Sequence, residues 1–277
     1  MKKLSFIIAM AFLMMGVVAC DKIDEPYKNE NNGGGTIGAG ANKHVLLEDY
    51  TGVRCVNCPD AGQLAIEIQE RYDHKVVVLS VHAGDLATYP PFNLKTPEGD
   101  AWWNHFGFQE NPSGTVNRKM VNGGYDFKPA TWEDAIAEAL QETAVVEMTS
   151  IIDFDEETRE LEVNIFSKFL EEKVDTAYNV VVCVMEDSVV GTQVTHSGIV
   201  ADFVHRHVFR ESINGAWGEC LNGSEDQPVA IAPKEMIIKS YTATLNEAYN
   251  ADQCYIIAYV ANAGTKEVLQ VVEKKIK

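Results

Sequence analysis

The chain has 277 residues and carries 41 acidic against 23 basic side chains, a formal net charge of −18. That balance repels nucleic acid, and no basic cluster or basic helix face offsets it, which argues against a nucleic-acid partner. The acidity reads as a device for solubility rather than as an acidic binding surface.

Residues 1–19, MKKLSFIIAMAFLMMGVVA, combine a basic start at Lys2 and Lys3, a short apolar run and a small-residue close before Cys20, the pattern of an export signal. The run is shorter than the roughly 20 apolar residues of a membrane span. Its end, GVVAC, resembles the lipobox of bacterial lipoproteins. That resemblance implies a signal peptide over 1–19, a lipid-bearing Cys20, and a membrane as partner through more than one acyl chain. Removing the signal leaves 21 basic and 41 acidic side chains. Residues 20–42 are polar and glycine-rich and read as a flexible tether. Asp24 and Glu25, close to the lipid site, resemble the signal that sends some lipoproteins to the outer face of the outer membrane.

Residues 43–144 read as a first domain. HVLLEDY, residues 44–50, predicts a strand. A turn at Gly52 follows, and from Cys55 the positions Ala61, Leu64, Ala65 and Ile68 recur at helical spacing. KVVVLSV, residues 75–81, is apolar and β-branched, as a strand buried on both faces should be. Strand, helix and buried strand make a βαβ unit. Residues 85–108 form an insert, helical around Asp100 to Phe108. NPSGTVNRKM predicts a turn into a strand, with Gly123 and Gly124 at the next turn. A helix follows with Pro129 in its first turn, a cap at Thr131, and Trp132, Ala135, Ile136, Ala139 and Leu140 inward. The predicted order is β-α-β, insert, β-β-α.

TGVRCVNCP places Cys55 and Cys58 two residues apart at a helix start, the thioredoxin-like redox signature. Unpaired N–H groups and the dipole at a helix N-terminus stabilise a thiolate, lowering its pKa from about 8.5 toward about 3.5–7.5. Cys55, read as exposed, would attack a disulfide, and Cys58 would resolve the mixed disulfide. Pro112, in N-P-S-G-T-V, sits where this fold keeps a cis-proline facing the dithiol. Asp49, six residues before Cys55, falls where such proteins keep a buried acid that moves protons at the resolving thiol, although Glu48 competes for the role. A structural zinc site needs four protein ligands and one CxxC supplies two, so neither a metal nor another cofactor is called for. A permanent disulfide stays open as a reading, since exported proteins meet an oxidising compartment.

Residues 145–277 read as a second domain. VEMTSIIDF, LEVNIFSKF, NVVVCVMED, EMIIKSYTATL, CYIIAYVAN and EVLQVVEKKI are short strand-like runs separated by turns, which predicts an antiparallel, immunoglobulin-like β-sandwich. His205 and His207 lie two apart, so on one strand both would face one way; Asp202 and Glu211 are loose companions for a metal. Cys183 and Cys254 read as core thiols, and Cys220 could pair with either.

Taken together, the lipobox at Cys20, LEDYTGVRCVNCP, NPSGTVNR, VMEDSVVGTQ and HRHVFR resemble the outer membrane protein 28 family. The resemblance implies α/β plus all-β architecture, with a thioredoxin-like N-terminal domain followed by a β-sandwich, lipid-anchored at the outer membrane on its periplasmic or surface face. Two functions are open. One is thiol–disulfide exchange on the thiols of exported proteins by Cys55 and Cys58, aided by Pro112 and Asp49. The other is a non-enzymatic surface receptor or adhesin, with the CxxC as a structural disulfide and aromatic residues of Tyr89–Phe92 and Trp102–Trp103 offering a ligand surface.

Overall fold

The structure is a computed structural model and describes residues 43–277. The signal segment, the lipidation site at Cys20 and the tether lie outside the described residues. Strand β1 (Val45–Thr51), helix α1 (Cys58–Arg71) and strand β2 (Val76–His82) form the expected βαβ unit, with β1 and β2 parallel and buried along their whole length. The apolar stripe Ala61, Ala65 and Ile68 holds α1 against the sheet.

The insert contributes a small hairpin, β3 (Thr88–Tyr89) with β4 (Phe92–Asn93), and helix α2 (Pro97–Phe106). Thr96 caps α2 by accepting the Gly99 N–H, and Gly107, at φ 72°, ends it in the left-handed region. Strand β5 (Ser113–Val116) then runs antiparallel to β1. The second strand expected before the next helix shrinks to isolated bridges, Gly114 with Phe127 and Val121 with Gly124. Left-handed backbone at Asn117, Arg118 and Asn122 curls the chain there. Helix α3 (Pro129–Ala139) starts at Pro129 as expected, but its cap position is Lys128; Thr131 Oγ1 instead donates to the Lys128 carbonyl at 2.9 Å.

The remaining strands are β6 (Val146–Phe154), β7 (Glu160–Phe169), β8 (Tyr178–Glu186), β9 (Val189–Thr195), β10 (Gly198–His205), β11 (Val208–Ser212), β12 (Glu219–Cys220), β13 (Met236–Thr244), β14 (Cys254–Asn262) and β15 (Val268–Lys275). Six of them coincide with the six apolar runs; β9 to β12 are additional. The fold is mostly β with several sheets. One mixed sheet has the order β15-β14-β8-β11-β2-β1-β5, with β12 beside β8. The boundary expected at 144/145 falls between α3 and β6, and strands from either side of it share this sheet. Their junction is β11, parallel to β2 at Val208 and Ser80, where the Ser80 N–H donates to the His207 carbonyl at 2.8 Å.

Alternation along the strands distributes the core over three layers. Val45, Leu47, Val76 and Val78 face α1 and α3, meeting Trp132 and Ile136. Leu46, Tyr50, Leu79 and Val81 face the other way, onto Trp102 and Phe106 of α2, in a cluster that continues through Cys183, Phe209 and Tyr259. The opposite face of β8 and β14 packs on the sheet β13-β7-β6 through Val182, Val184, Ile256, Leu161, Val163 and Phe169. Each such side chain, fully buried, contributes roughly 1.5–3 kcal/mol.

Glu48 and Arg118 form a buried clasp in the second layer. Arg118 Nε and Nη2 donate to the two Glu48 carboxylate oxygens at 2.9 and 2.5 Å, and Thr115 Oγ1 donates to Oε2 at 2.8 Å. The guanidinium lies 4.6 Å from the Trp102 ring and 4.8 Å from the Tyr259 ring. Charge, hydrogen bonds and stacking are all satisfied, as a buried pair requires.

Candidate functional site

Cys55 and Cys58 form a disulfide, with Cα atoms 5.4 Å apart. Cys58 opens α1, so it lies among the unpaired N–H groups of the first turn, whereas Cys55 sits in the preceding turn. The segment between β1 and α1 is tied down on one side by the insert. The Arg54 N–H donates to the Leu86 carbonyl at 3.0 Å, and the Arg54 guanidinium donates to the Asp85 carbonyl. Gly52 is needed here because a Cβ would come within 2.7 Å of the Leu86 backbone.

On its other side the segment meets the β9–β10 hairpin. Val194 donates its N–H to the Val53 carbonyl at 2.8 Å. Gln193 Nε2 donates to the carbonyls of Cys55 at 3.0 Å and Gly52 at 3.3 Å. The hairpin is held in turn by Phe92, whose ring lies against Gly191; any Cβ at Gly191 would overlap it. The expected exposure of Cys55 is therefore corrected: both cysteines are only 3% exposed, because a hairpin from the C-terminal half covers them.

The Asn111–Pro112 bond is cis. Pro112 leads directly into β5, whose Ser113 pairs with Tyr50, and so stands beside the end of β1 from which the disulfide segment leaves. Glu48 and Asp49 face opposite sides of the sheet by strand alternation. Glu48 points to the Arg118 layer, and Asp49 to the α1 face.

There Asp49 lines a cavity of about 320 Å³ together with Cys58, His82, Gln193, His205 and His207. Burial alone raises the Asp49 carboxyl to about 7. Burial drives His82 well below its ordinary value, with His205 and Arg210 adding to the effect. It brings His205 down to about 4 against a hydrogen bond to the Thr192 backbone, and His207 to about 4 against the attraction of Asp187. All three imidazoles are thus neutral at pH 7. His207 Nε2 lies 3.0 Å from Gln69 Oε1.

His205 and His207 do not share a strand. His205 ends β10, and His207, at φ 54°, lies in the link to β11. Among the described residues no group of three His, Cys, Asp or Glu side chains is arranged to hold a metal ion. Cys183, Cys220 and Cys254 are free thiols, so the pairing considered for Cys220 does not form. Burial pushes Cys254 up to about 12 and Cys183 higher still, as inert core thiols require. Trp102 is core, with its Nε1–H donated to the Ala216 carbonyl at 2.7 Å, and Phe92 is committed to the hairpin. Neither furnishes the ligand surface expected of it.

Sequence reasoning missed His82 and Gln193. His82 was detectable as a polar residue following Ser80 at the strand period; Gln193 carries no such signal.

Residues 99–277 match the family described as "Outer membrane protein Omp28". No curated protein matches the chain. Among solved structures, HBP35 of Porphyromonas gingivalis is similar at 16% identity and a TM-score of 0.64, over 86% of this chain and 77% of that one. This likeness concerns the fold alone. A domain of the outer membrane lipoprotein Omp28 from Porphyromonas gingivalis matches at 22% identity and a TM-score of 0.34, over 48% of this chain and 89% of that one. Among the described residues, no helix is long and apolar enough to cross a membrane.

Proposed function

The chain belongs to the family of outer membrane protein Omp28, located at the outer membrane, and from that premise we propose that it exchanges disulfides with the thiols of exported proteins through Cys55 and Cys58. The observation that carries this reading is the Cys55–Cys58 disulfide at the start of α1, beside a buried acid, Asp49, raised to about 7. A group with that value can both take and return a proton near neutral pH.

In the reduced state Cys55 gives its proton to solvent and attacks a substrate disulfide as a thiolate, and the substrate sulfur that leaves takes a proton from solvent. Cys58 then loses its proton to Asp49 and attacks Cys55 Sγ, and Asp49 returns that proton to the second substrate sulfur as it leaves, restoring the pair. Two electrons and two protons pass to the substrate; running backward, the same steps oxidise a substrate dithiol. Pro112 positions the substrate chain at the end of β1. The βαβ order and the dithiol position support a thioredoxin-like reading of residues 43–144, and lipid on Cys20 would supply the anchor.

The test is turnover of a scrambled disulfide substrate by the full chain. Turnover that is lost in Cys55→Ser and in Cys58→Ser supports the proposal. A second reading is favoured by the burial of both sulfurs: the pair is a permanent staple in a binding lipoprotein, receptor or adhesin. It predicts no turnover by the wild type.

A further inference from the structure

The β9–β10 hairpin is held over the disulfide by polar groups. Of its side chains only Gln193 and His205 are fully buried, and neither is apolar. Gln193 bonds the disulfide segment. His205 is 5% exposed, with its ring centroid 5.4 Å from that of Phe92 and 5.4 Å from that of His82. Little apolar burial therefore resists the parting of this hairpin from the sheet, which is the mark of a segment that opens below the free energy of global unfolding.

Both roots of the hairpin are kinks, since Ser188 and His207 take left-handed backbone at φ 59° and 54°. The second root is pinned. Asp187 accepts the Arg206 Nε–H at 2.7 Å and the His207 N–H at 3.0 Å. Movement can thus be confined to β9 and β10 while β8 and β11 stay in the main sheet.

His205 makes the docking sensitive to acid. Its Nε2 is buried without a protein partner, so a proton taken up in place would bury a cation with no anion to meet it. The surrounding groups do not offset that cost. His82 on β2 faces it edge-on and would be a second positive charge, and Arg210 on β11 already acts on His82 as a cation. In the link to β11, Arg206 is a further cation and His207 is neutral and buried. Among the described residues lining the cavity Asp49 on β1 is the sole acid, and its own burial keeps it protonated below about 7. Asp202, on β10 itself, is exposed to water. Docked, the His205 imidazole takes a proton only near 4, against its ordinary 6.5 in water. Between those values the docked hairpin binds fewer protons than the undocked one, so docking weakens as pH falls through that window.

We propose that acid frees the β9–β10 hairpin: His205 takes up a proton by moving into water, and the lifted hairpin uncovers Cys55–Cys58. Access to the sulfurs is then coupled to pH whether the pair exchanges disulfides or is a permanent staple.

The test is the rate at which tris(carboxyethyl)phosphine reduces Cys55–Cys58 in the full chain, divided at each pH by its rate on oxidised glutathione, which cancels the titration of the phosphine. From pH 7 to pH 5 the ratio is expected to rise at least about tenfold, since one imidazole freed from burial shifts the equilibrium by up to about tenfold per pH unit. His205→Phe keeps a ring beside Phe92 but takes no proton, and is expected to hold the rise below about threefold. His196→Gln, in the exposed turn of the same hairpin, is expected to keep the full rise. The tryptophan emission maximum, set by Trp102, Trp103, Trp132 and Trp217 outside the hairpin, is expected to be the same at both pH values. A flat ratio in the wild type, an undiminished rise in folded His205→Phe, or a shift of the emission maximum that marks global unfolding would overturn the proposal.

Discussion

Glu48 and Asp49 are neighbours on β1, both acidic and both buried, yet they serve opposite faces of the sheet under opposite conditions. Glu48 is met by two donors from Arg118 and one from Thr115. Asp49 has an oxygen with no protein partner and shares its cavity with a disulfide cysteine and unpartnered imidazoles. A buried charge pair with its donors in place holds a fold together, whereas an unpaired buried acid in a cavity marks a place where chemistry or binding can supply what is missing.

The Glu48–Arg118 pair is the costlier of the two to disturb. Arg118→Met strands the Glu48 carboxylate in the core, and loss of one partner of a buried pair costs about 3–5 kcal/mol. Urea unfolding is expected to show a loss of that size; a loss below 1 kcal/mol would mean that the clasp contributes little.

On the other face the sign reverses. The folded Asp49 carboxyl, at about 7, lies above its ordinary value of 3.8. Between those values the folded chain holds a proton that the unfolded chain has released, so this group makes stability fall as pH rises through that window. Asp49→Asn removes the penalty. The variant should gain on the wild type progressively from pH 4 to 7, by on the order of a few kcal/mol above pH 7, in paired denaturation curves. A pH-independent difference would contradict the assignment.

Two smaller effects concern the cover over the sulfurs. Gly191→Val drives a side chain into the Phe92 ring. Overpacking of this kind costs about 1–3 kcal/mol and should make reduction of Cys55–Cys58 by dithiothreitol at least about tenfold faster. Gln193→Ala removes the donor to the Cys55 and Gly52 carbonyls. At about 1 kcal/mol net, the expected acceleration is about fivefold. Equal rates in all three proteins would mean that the hairpin does not control access.

Much of this was legible in the residues. β1, α1 and β2 announce themselves because each has a strong apolar pattern of its own, and six later strands do so for the same reason. The hairpin that covers the disulfide does not. In β9 the one fully buried side chain is Gln193, and in β10 it is His205, while Val190, Ile199 and Val204 are exposed. The polarity pattern there is inverted, since these strands dock through backbone and amide hydrogen bonds rather than an apolar face. The joining of both halves in one sheet was hidden likewise, because it rests on β11, only five residues long. The exposure read for Cys55 failed with it, as burial comes from residues about 140 positions away.

We propose that Cys55–Cys58, on the Asp49 face of β1 and beside the β9–β10 hairpin, exchanges disulfides. The most direct test is the reduction potential of Cys55–Cys58 in the intact chain, taken by equilibration with a thiol–disulfide buffer. A value above about −300 mV, within reach of exchange partners, is what the account predicts; a value below it, as structural bridges have, would contradict it.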